Sequence, residues 1–402
     1  MPLSAPHDQF HPRRTRLRRL ALAAGAVATM SGLTLGALPG VAAAAHHPTR
    51  PARPAAAQRS SRSAVAAAPG AVAYVYGNKP SVANYTPEKG FRFNSSGGAI
   101  HIHRSNTGKY RVTFFGLGSF ASQGTVDVTA EGLQPEQCNV VRWGPDSTGA
   151  NLLVYVDCWT ATAAGAALDS PFMAAFTSGG STTGTTDFVW ANNPTAGSYT
   201  PDLSYQFNSS GGTNTIKHLG TGRYNVIMPG PVVADGTVKV TAYGSSANFC
   251  QVDQWADVSP GQNVFVDCFS PAGAPVNNKF TMTFTASDDL LGDGASFSGY
   301  LWGNDPTSST YTPDTQYQFD TAGTTATVTK LPPNPGEWQA SFPNEADGAQ
   351  GDQQGTAYGS TPAHCIVDGP IGINGNEAGD VFCFDINGNL LDTLYTTQWM
   401  VG

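Results

Sequence analysis

The chain has 402 residues, 46 of them glycine, 10% aromatic residues and a formal net charge of −8, enough for two to four ordinary domains. Nine of the 21 Lys and Arg lie before residue 64 beside one acid, Asp8, so the remainder holds 12 basic and 28 acidic residues. That acidic balance argues against a nucleic-acid partner, because phosphate binding needs a basic face, and it suits a soluble extracellular protein.

Five arginines between Arg13 and Arg19 precede an Ala/Leu/Gly/Val run from Leu20 to Leu38, which closes on Ala42, Ala43, Ala44 and Ala45. A basic segment, an apolar segment and a small-residue end make a signal peptide over 1–45, cleaved after Ala45, with no membrane span left in the mature protein. The Arg18-Arg19 pair also permits the twin-arginine route. Residues 46–70 are rich in Ala, Pro, Arg and Ser, too poor in apolar surface to offset ordering entropy, and read as a disordered leader.

Three copies of one unit follow. The first opens Tyr74-Val75-Tyr76-Gly77-Asn78-Lys79-Pro80, then Tyr85-Thr86-Pro87; the second Phe188-Val189-Trp190-Ala191-Asn192-Asn193-Pro194, then Tyr199-Thr200-Pro201; the third Tyr300-Leu301-Trp302-Gly303-Asn304-Asp305-Pro306, then Tyr311-Thr312-Pro313. A Gly and an aromatic start a later strand in each, at Gly108/Tyr110, Gly222/Tyr224 and Gly336/Trp338. Short strands with turn signals every 8–12 residues predict an all-β chain of three tandem β-sandwich domains, jelly-roll or Ig-like, over 71–177, 187–285 and 297–402. Alternation in Val126-Asp127-Val128 and Val238-Lys239-Val240 predicts sheets with one solvated face. The polar stretches 177–186 and 285–296 are the expected linkers, and each copy is expected to fold alone.

Six cysteines fall two per copy, and turn sequences lie midway between the members of each pair. Hairpins of this shape place Cys138 opposite Cys158, Cys250 opposite Cys268 and Cys365 opposite Cys383, within disulfide range. Exported proteins favour such bridges, and the spacing is a poor zinc pattern.

No nucleophile elbow, zinc-protease motif or phosphate loop is present, and no cofactor is expected. His101 and His103 share a strand face and read as solvent-facing rather than metal-binding. Asp385-Ile386-Asn387-Gly388-Asn389 reads as a hairpin turn rather than a calcium loop. Strict alternation along the cysteine hairpins puts Trp143 with Tyr155 and Asp157 on one face, and Trp255 with Phe265 and Asp267 on its equivalent. An aromatic pair beside an Asp suits a sugar, so these six are the candidate ligand-binding residues. A covering neighbour or a bulge would instead make them structural.

The aromatic-x-Asn-x-Pro, Tyr-Thr-Pro, Gly-x-Tyr and paired-Cys elements resemble secreted actinobacterial-type β-repeat proteins with one cysteine pair per repeat. The likeness covers residues 72–402 and implies a fold and a compartment. A second similarity, to phage-fibre and complement-type jelly rolls, lies in the Gly-x-Tyr-x-Val strand. The expectation for function is a secreted, extracellular, non-enzymatic binding or surface-interaction protein for a glycan, cell-wall or protein ligand. A secreted carboxylate-dependent hydrolase or lyase and an extracellular protein inhibitor are the alternatives.

Overall fold

The computed structural model describes residues 70–402 apart from 181–183, 231–235, 259–260, 293–294, 332–333, 346–349 and 374–375. The signal peptide and all but the last residue of the leader lie outside the described residues.

Each copy contributes nine strands. Copy 1 has β1 (Val72–Tyr76), β2 (Asn84–Tyr85), β3 (Arg92–Asn94), β4 (Ile100–Asn106), β5 (Lys109–Phe114), β6 (Thr125–Ala130), β7 (Glu136–Pro145), β8 (Leu152–Thr160) and β9 (Phe172–Thr177). Copy 2 has β10 (Thr185–Ala191), β11 (Ser198–Tyr199), β12 (Gln206–Asn208), β13 (Thr215–Gly220), β14 (Arg223–Pro229), β15 (Thr237–Tyr243), β16 (Phe249–Val258), β17 (Gly261–Phe269) and β18 (Lys279–Ala286). Copy 3 has β19 (Phe297–Gly303), β20 (Thr310–Tyr311), β21 (Gln318–Asp320), β22 (Thr327–Lys330), β23 (Glu337–Pro343), β24 (Asp352–Tyr358), β25 (His364–Ile373), β26 (Asn376–Phe384) and β27 (Leu394–Val401). In copy 1 the order β3-β1-β9-β6 makes a four-stranded sheet and β2-β4-β5-β8-β7 a five-stranded one, and copies 2 and 3 repeat both orders. The two sheets pack face to face. In copy 1, Val75, Val126, Val128 and Phe176 meet Ile102, Val112, Val154 and Val156 in one apolar core.

The repeated motifs are local fasteners of this sandwich. Gly108, Gly222 and Gly336 have φ of +65°, +72° and +69°, and a Cβ there would come within 2.4–2.7 Å of the carbonyl oxygens of Cys158, Cys268 and Cys383. Only glycine tolerates both constraints. The Tyr-Thr-Pro tyrosines accept hydrogen bonds through their hydroxyls, Tyr85 from the Lys79 amide and Tyr199 from the Asn193 amide, each at 3.2 Å, which ties down the Asn-x-Pro turn. The disulfides Cys138–Cys158, Cys250–Cys268 and Cys365–Cys383 are present, with Cα atoms 4.0–4.1 Å apart, across directly paired hairpin positions.

The copies do not stand in a row; they close into a three-membered ring. The end of one edge strand in each four-stranded sheet pairs in parallel with the five-stranded sheet of another copy: Tyr243 closing β15 with Val140, Tyr358 closing β24 with Val252, and Glu131, just past β6, with Val367. The next amide repeats the link, from Gly244 to the Val140 carbonyl (2.9 Å), Gly359 to Val252 (2.8 Å) and Gly132 to Val367 (2.8 Å). At the centre, β6, β15 and β24 pack on one another. Their threonines form a second cycle, in which the amides of Val128, Val240 and Gly355 donate to the hydroxyls of Thr241, Thr356 and Thr129 at 3.0, 3.2 and 3.0 Å.

Closure corrects one expectation. The polar residues alternating with valine on β6 and β15 do not meet water. Asp127 and Lys239 are each 2% exposed, because the face opposite the sandwich core is covered by the other copies. Burial drives both toward neutrality, Asp127 up to about 7 and Lys239 down to about 7. Within the expected linker 285–296, Leu290 and Leu291 are buried. Leu290 and Leu291 pack with Val72, Tyr74 and Ala175 of copy 1 and Met400 of copy 3.

Candidate functional site

Each cysteine hairpin of copies 1 and 2 carries a bulge, between Val140 and Arg142 and between Val252 and Gln254. One extra residue inverts the alternation beyond it. Trp143 therefore pairs with Val154 and Trp255 with Val264, while Arg142 pairs with Tyr155 and Gln254 with Phe265. The expected shared face of Trp143 with Tyr155, and of Trp255 with Phe265, is broken at that residue.

The tryptophans go to the seams. Trp143 meets Trp190, Tyr205 and Tyr243 of copy 2 at centroid distances of 5.5–5.8 Å, all edge-to-face, and its indole N–H donates to the Gln123 carbonyl at 3.2 Å. Trp255, 1% exposed, meets Trp302, Tyr317 and Tyr358 of copy 3 in the same way at 5.2–5.9 Å. Edge-to-face pairs at this spacing are favourable. Asp157 forms an ion pair with Lys109 at 2.8 Å and Asp267 one with Arg223 at 3.2 Å. Phe265 and Tyr155 remain half-buried on the outer faces of their five-stranded sheets.

The third seam is built differently. Pro370 stands at the tryptophan's spacing from the cysteine, and Glu131 takes the place of Tyr243 and Tyr358. Glu131 is pushed up to about 8 by burial first, then by the charges of Asp368 and Glu136, against a lowering bond from Tyr76. Burial and the neighbouring Asp368 carboxyl both favour its neutral form. At 7% exposure, Glu131 is sealed from any polymeric substrate. The Asp385 carboxylate accepts from the amides of Asn387 and Asn389 at 2.8 and 2.9 Å, a self-contained turn.

The open surface with the most chemistry is the outer face of copy 1's five-stranded sheet. Registers across β2, β4, β5, β8 and β7 align Asn84, His103, Arg111, Tyr155 and Arg142 in one row. His103 Nδ1 lies 2.8 Å from Asn84 Oδ1, and the Arg142 guanidinium stacks 4.0 Å above the Tyr155 ring. Beside the row, His101 meets Phe115 edge-on at 5.1 Å. A hollow of about 300 Å³ opens here, lined by Tyr85, His101, His103, Arg111, Thr113 and Phe115 among others. That volume is at the lower bound of small-ligand sites. The cavity at the ring centre holds about 60 Å³, room for water only. In the equivalent row copy 2 carries Ser198, Lys217, Asn225, Phe265 and Gln254, and copy 3 carries Thr310, Thr329, Gln339, Asp380 and Asp368.

Of the six sequence candidates only Tyr155 lies in this row. His103 and Arg111 were within reach of sequence reasoning, since both alternate with buried valine or isoleucine on their strands; their alignment needed the register of five strands. A scan against family models, a search of curated proteins and a search of solved structures each returned no match to this chain.

Proposed function

We propose that the protein is an extracellular, non-enzymatic binding protein that engages a glycan of its surroundings through the outer face of copy 1. One observation supports this reading above the others. The parts common to the copies hold the ring together, whereas the outer rows have diverged, and copy 1's has become a hollow lined by cationic, imidazole and aromatic side chains. Seven of the 12 Lys and Arg beyond residue 63 lie in copy 1. Among the described residues, Arg111 and Arg142 have no carboxylate within 4.0 Å to compensate their charge. Rings beside hydrogen-bonding groups suit sugars, which present an apolar face and a rim of hydroxyls. The test is a sedimentation pulldown of the full mature chain on polysaccharides and cell walls. Binding should fall at least tenfold in the Arg111→Ala/Tyr155→Ala double variant with an unchanged melting temperature. Undiminished binding by that variant would move the site elsewhere.

A further inference from the structure

The hollow on copy 1 contains an unfilled donor. Arg111 Nε is buried and has no hydrogen-bond partner among the described residues. Its counterparts in the other copies satisfy a side-chain N–H inside the sheet: Asn225 Nδ2 donates to Asn263 Oδ1 at 3.0 Å, and Gln339 Nε2 to Asp380 Oδ1 at 3.0 Å. A buried cationic donor without an acceptor is costly, and an anionic oxygen is the acceptor that would relieve it best.

The surroundings match a small anion carried on a ring. Arg111 and His103 face each other across β4 and β5, so an anion in the hollow meets a guanidinium fork and an imidazole together. With Nδ1 engaged by Asn84, the His103 Nε2 position is left for a ligand. Phe115 and Tyr85 give the hollow apolar walls, and Thr113 a hydroxyl. The equivalent row of copy 3 carries Asp368 and Asp380 in place of these groups, carboxylates that do not suit the same ligand.

We propose that this hollow is a subsite for an acidic sugar, its carboxylate or phosphate bound by Arg111 and its ring held against Phe115 and Tyr85. This rests on the glycan-binding reading above and adds the charge of the ligand.

The test is calorimetric titration of the full mature chain with oligogalacturonate, as the carboxylate probe, and a glycerol-phosphate sugar polymer, as the phosphate probe. Neutral cello- and malto-oligosaccharides serve as comparators. At least one acidic probe should bind, more weakly as salt rises, and whichever binds tighter identifies the anion. Arg111→Gln should lower that affinity about 10- to 100-fold, the range for a charged hydrogen bond, and Arg111→Lys should restore part of it. Circular dichroism melts of both variants should match the parent. If neutral oligosaccharides bind as well as acidic ones and Arg111→Gln changes neither, the acidic-sugar assignment is overturned while the glycan reading stands. If no saccharide binds, both fall.

Discussion

Two of the three seams in this molecule and the third solve the same problem with different chemistry. Between copies 1 and 2, and between copies 2 and 3, a tryptophan edge enters a box of one tryptophan and two tyrosines. Between copies 3 and 1 the box is reduced to the Tyr76–Phe91 pair, 5.4 Å apart, beside the carboxyls of Glu131 and Asp368. The backbone link is the same in all three, a single parallel bridge and one glycine amide. The backbone therefore sets the ring, and the side chains set how each seam responds to its surroundings. The residue at the edge of the two aromatic seams, a tryptophan, does not ionise, whereas the third seam carries a carboxyl that burial pushes toward its neutral form.

The largest expected effect comes from removing the seams altogether. Excised copies spanning 71–177, 187–285 or 297–402 would expose a sheet face that carries Asp127, Lys239 or Gln354 and the uncapped partners of the threonine cycle. Strands β6 and β9 are buried along their whole length, and β18 and β27 along all but their first residue, so each copy lacks half the cover of its own four-stranded sheet. Urea titrations of the excised copies should show no cooperative transition, against a cooperative one for residues 71–402. A sharp transition in any single copy would show that the sandwich core suffices alone.

Within the intact chain, Trp255→Ala should be the most damaging single change at a seam, costing ~3–5 kcal/mol as a fully buried aromatic truncated to a cavity. Trp143→Ala should cost less, roughly half as much, because Trp143 is only half-buried. Chemical denaturation of both variants reads the order directly. Equal losses would mean that the two boxes are not graded by burial.

The carboxyl seam is expected to respond to pH. A carboxyl held at about 8 in the folded state and near its ordinary 4.5 when unfolded contributes stability that is complete below about 4.5. That contribution is lost as pH rises through about 8. Asp352, raised to about 8, and Asp289, raised to about 7, act in the same direction, both through burial first. Lys239, lowered to about 7, opposes them above neutrality, and His364, lowered to about 3 by burial, opposes them below about 6.5. Melting temperature should therefore be highest on the acid side of neutrality and fall toward pH 8, where the carboxyl contributions end and Lys239 opposes any further fall. Glu131→Gln should flatten part of that fall while leaving stability near pH 5 within about 1 kcal/mol. A melting temperature that is level from pH 6 to pH 8 in the parent chain would remove the basis for a proton-dependent seam.

The repeat and its bridges were legible in the sequence because they are local. An Asn-x-Pro turn, a glycine forced to positive φ, and two cysteines equidistant from a turn each declare themselves within about 20 residues. Ring closure was not legible, since Gly132 and Val367 meet only after the whole chain is laid down. Alternation misled in two places for definable reasons. At Asp127 and Lys239 it reported two distinct sheet faces correctly, but the second face was covered by protein rather than water. At Trp143 and Trp255 a single bulge residue reversed the phase, and no residue type at Val141 or Asp253 announces one. The outer row of copy 1 lay hidden because its members are spread from Asn84 to Arg142 and only the pairing of five strands lines them up.

The smallest effect tests whether the three links are truly equivalent. Thr129, Thr241 and Thr356 each accept an amide hydrogen bond from another copy, and valine has nearly the same shape without the acceptor. Each Thr→Val change leaves one amide unsatisfied, buried at Val128 and Val240 and part-buried at Gly355, at about 1–3 kcal/mol. The three sites are not identically placed, however. Thr129 also donates to Gln354 Oε1 at 2.8 Å, and Thr241 donates to the Val128 carbonyl at 3.2 Å. Thr356 has no such second bond among those described. Thr356→Val should therefore lie at the low end of that range and Thr129→Val at the high end, where the shorter bond is lost and Gln354 loses its donor. Because the three residues touch one cycle, the triple variant should not equal the sum of the singles. Equilibrium unfolding of the three single variants and the triple variant measures both points. Strict additivity would mean that the seams act as independent joints rather than as one closed ring.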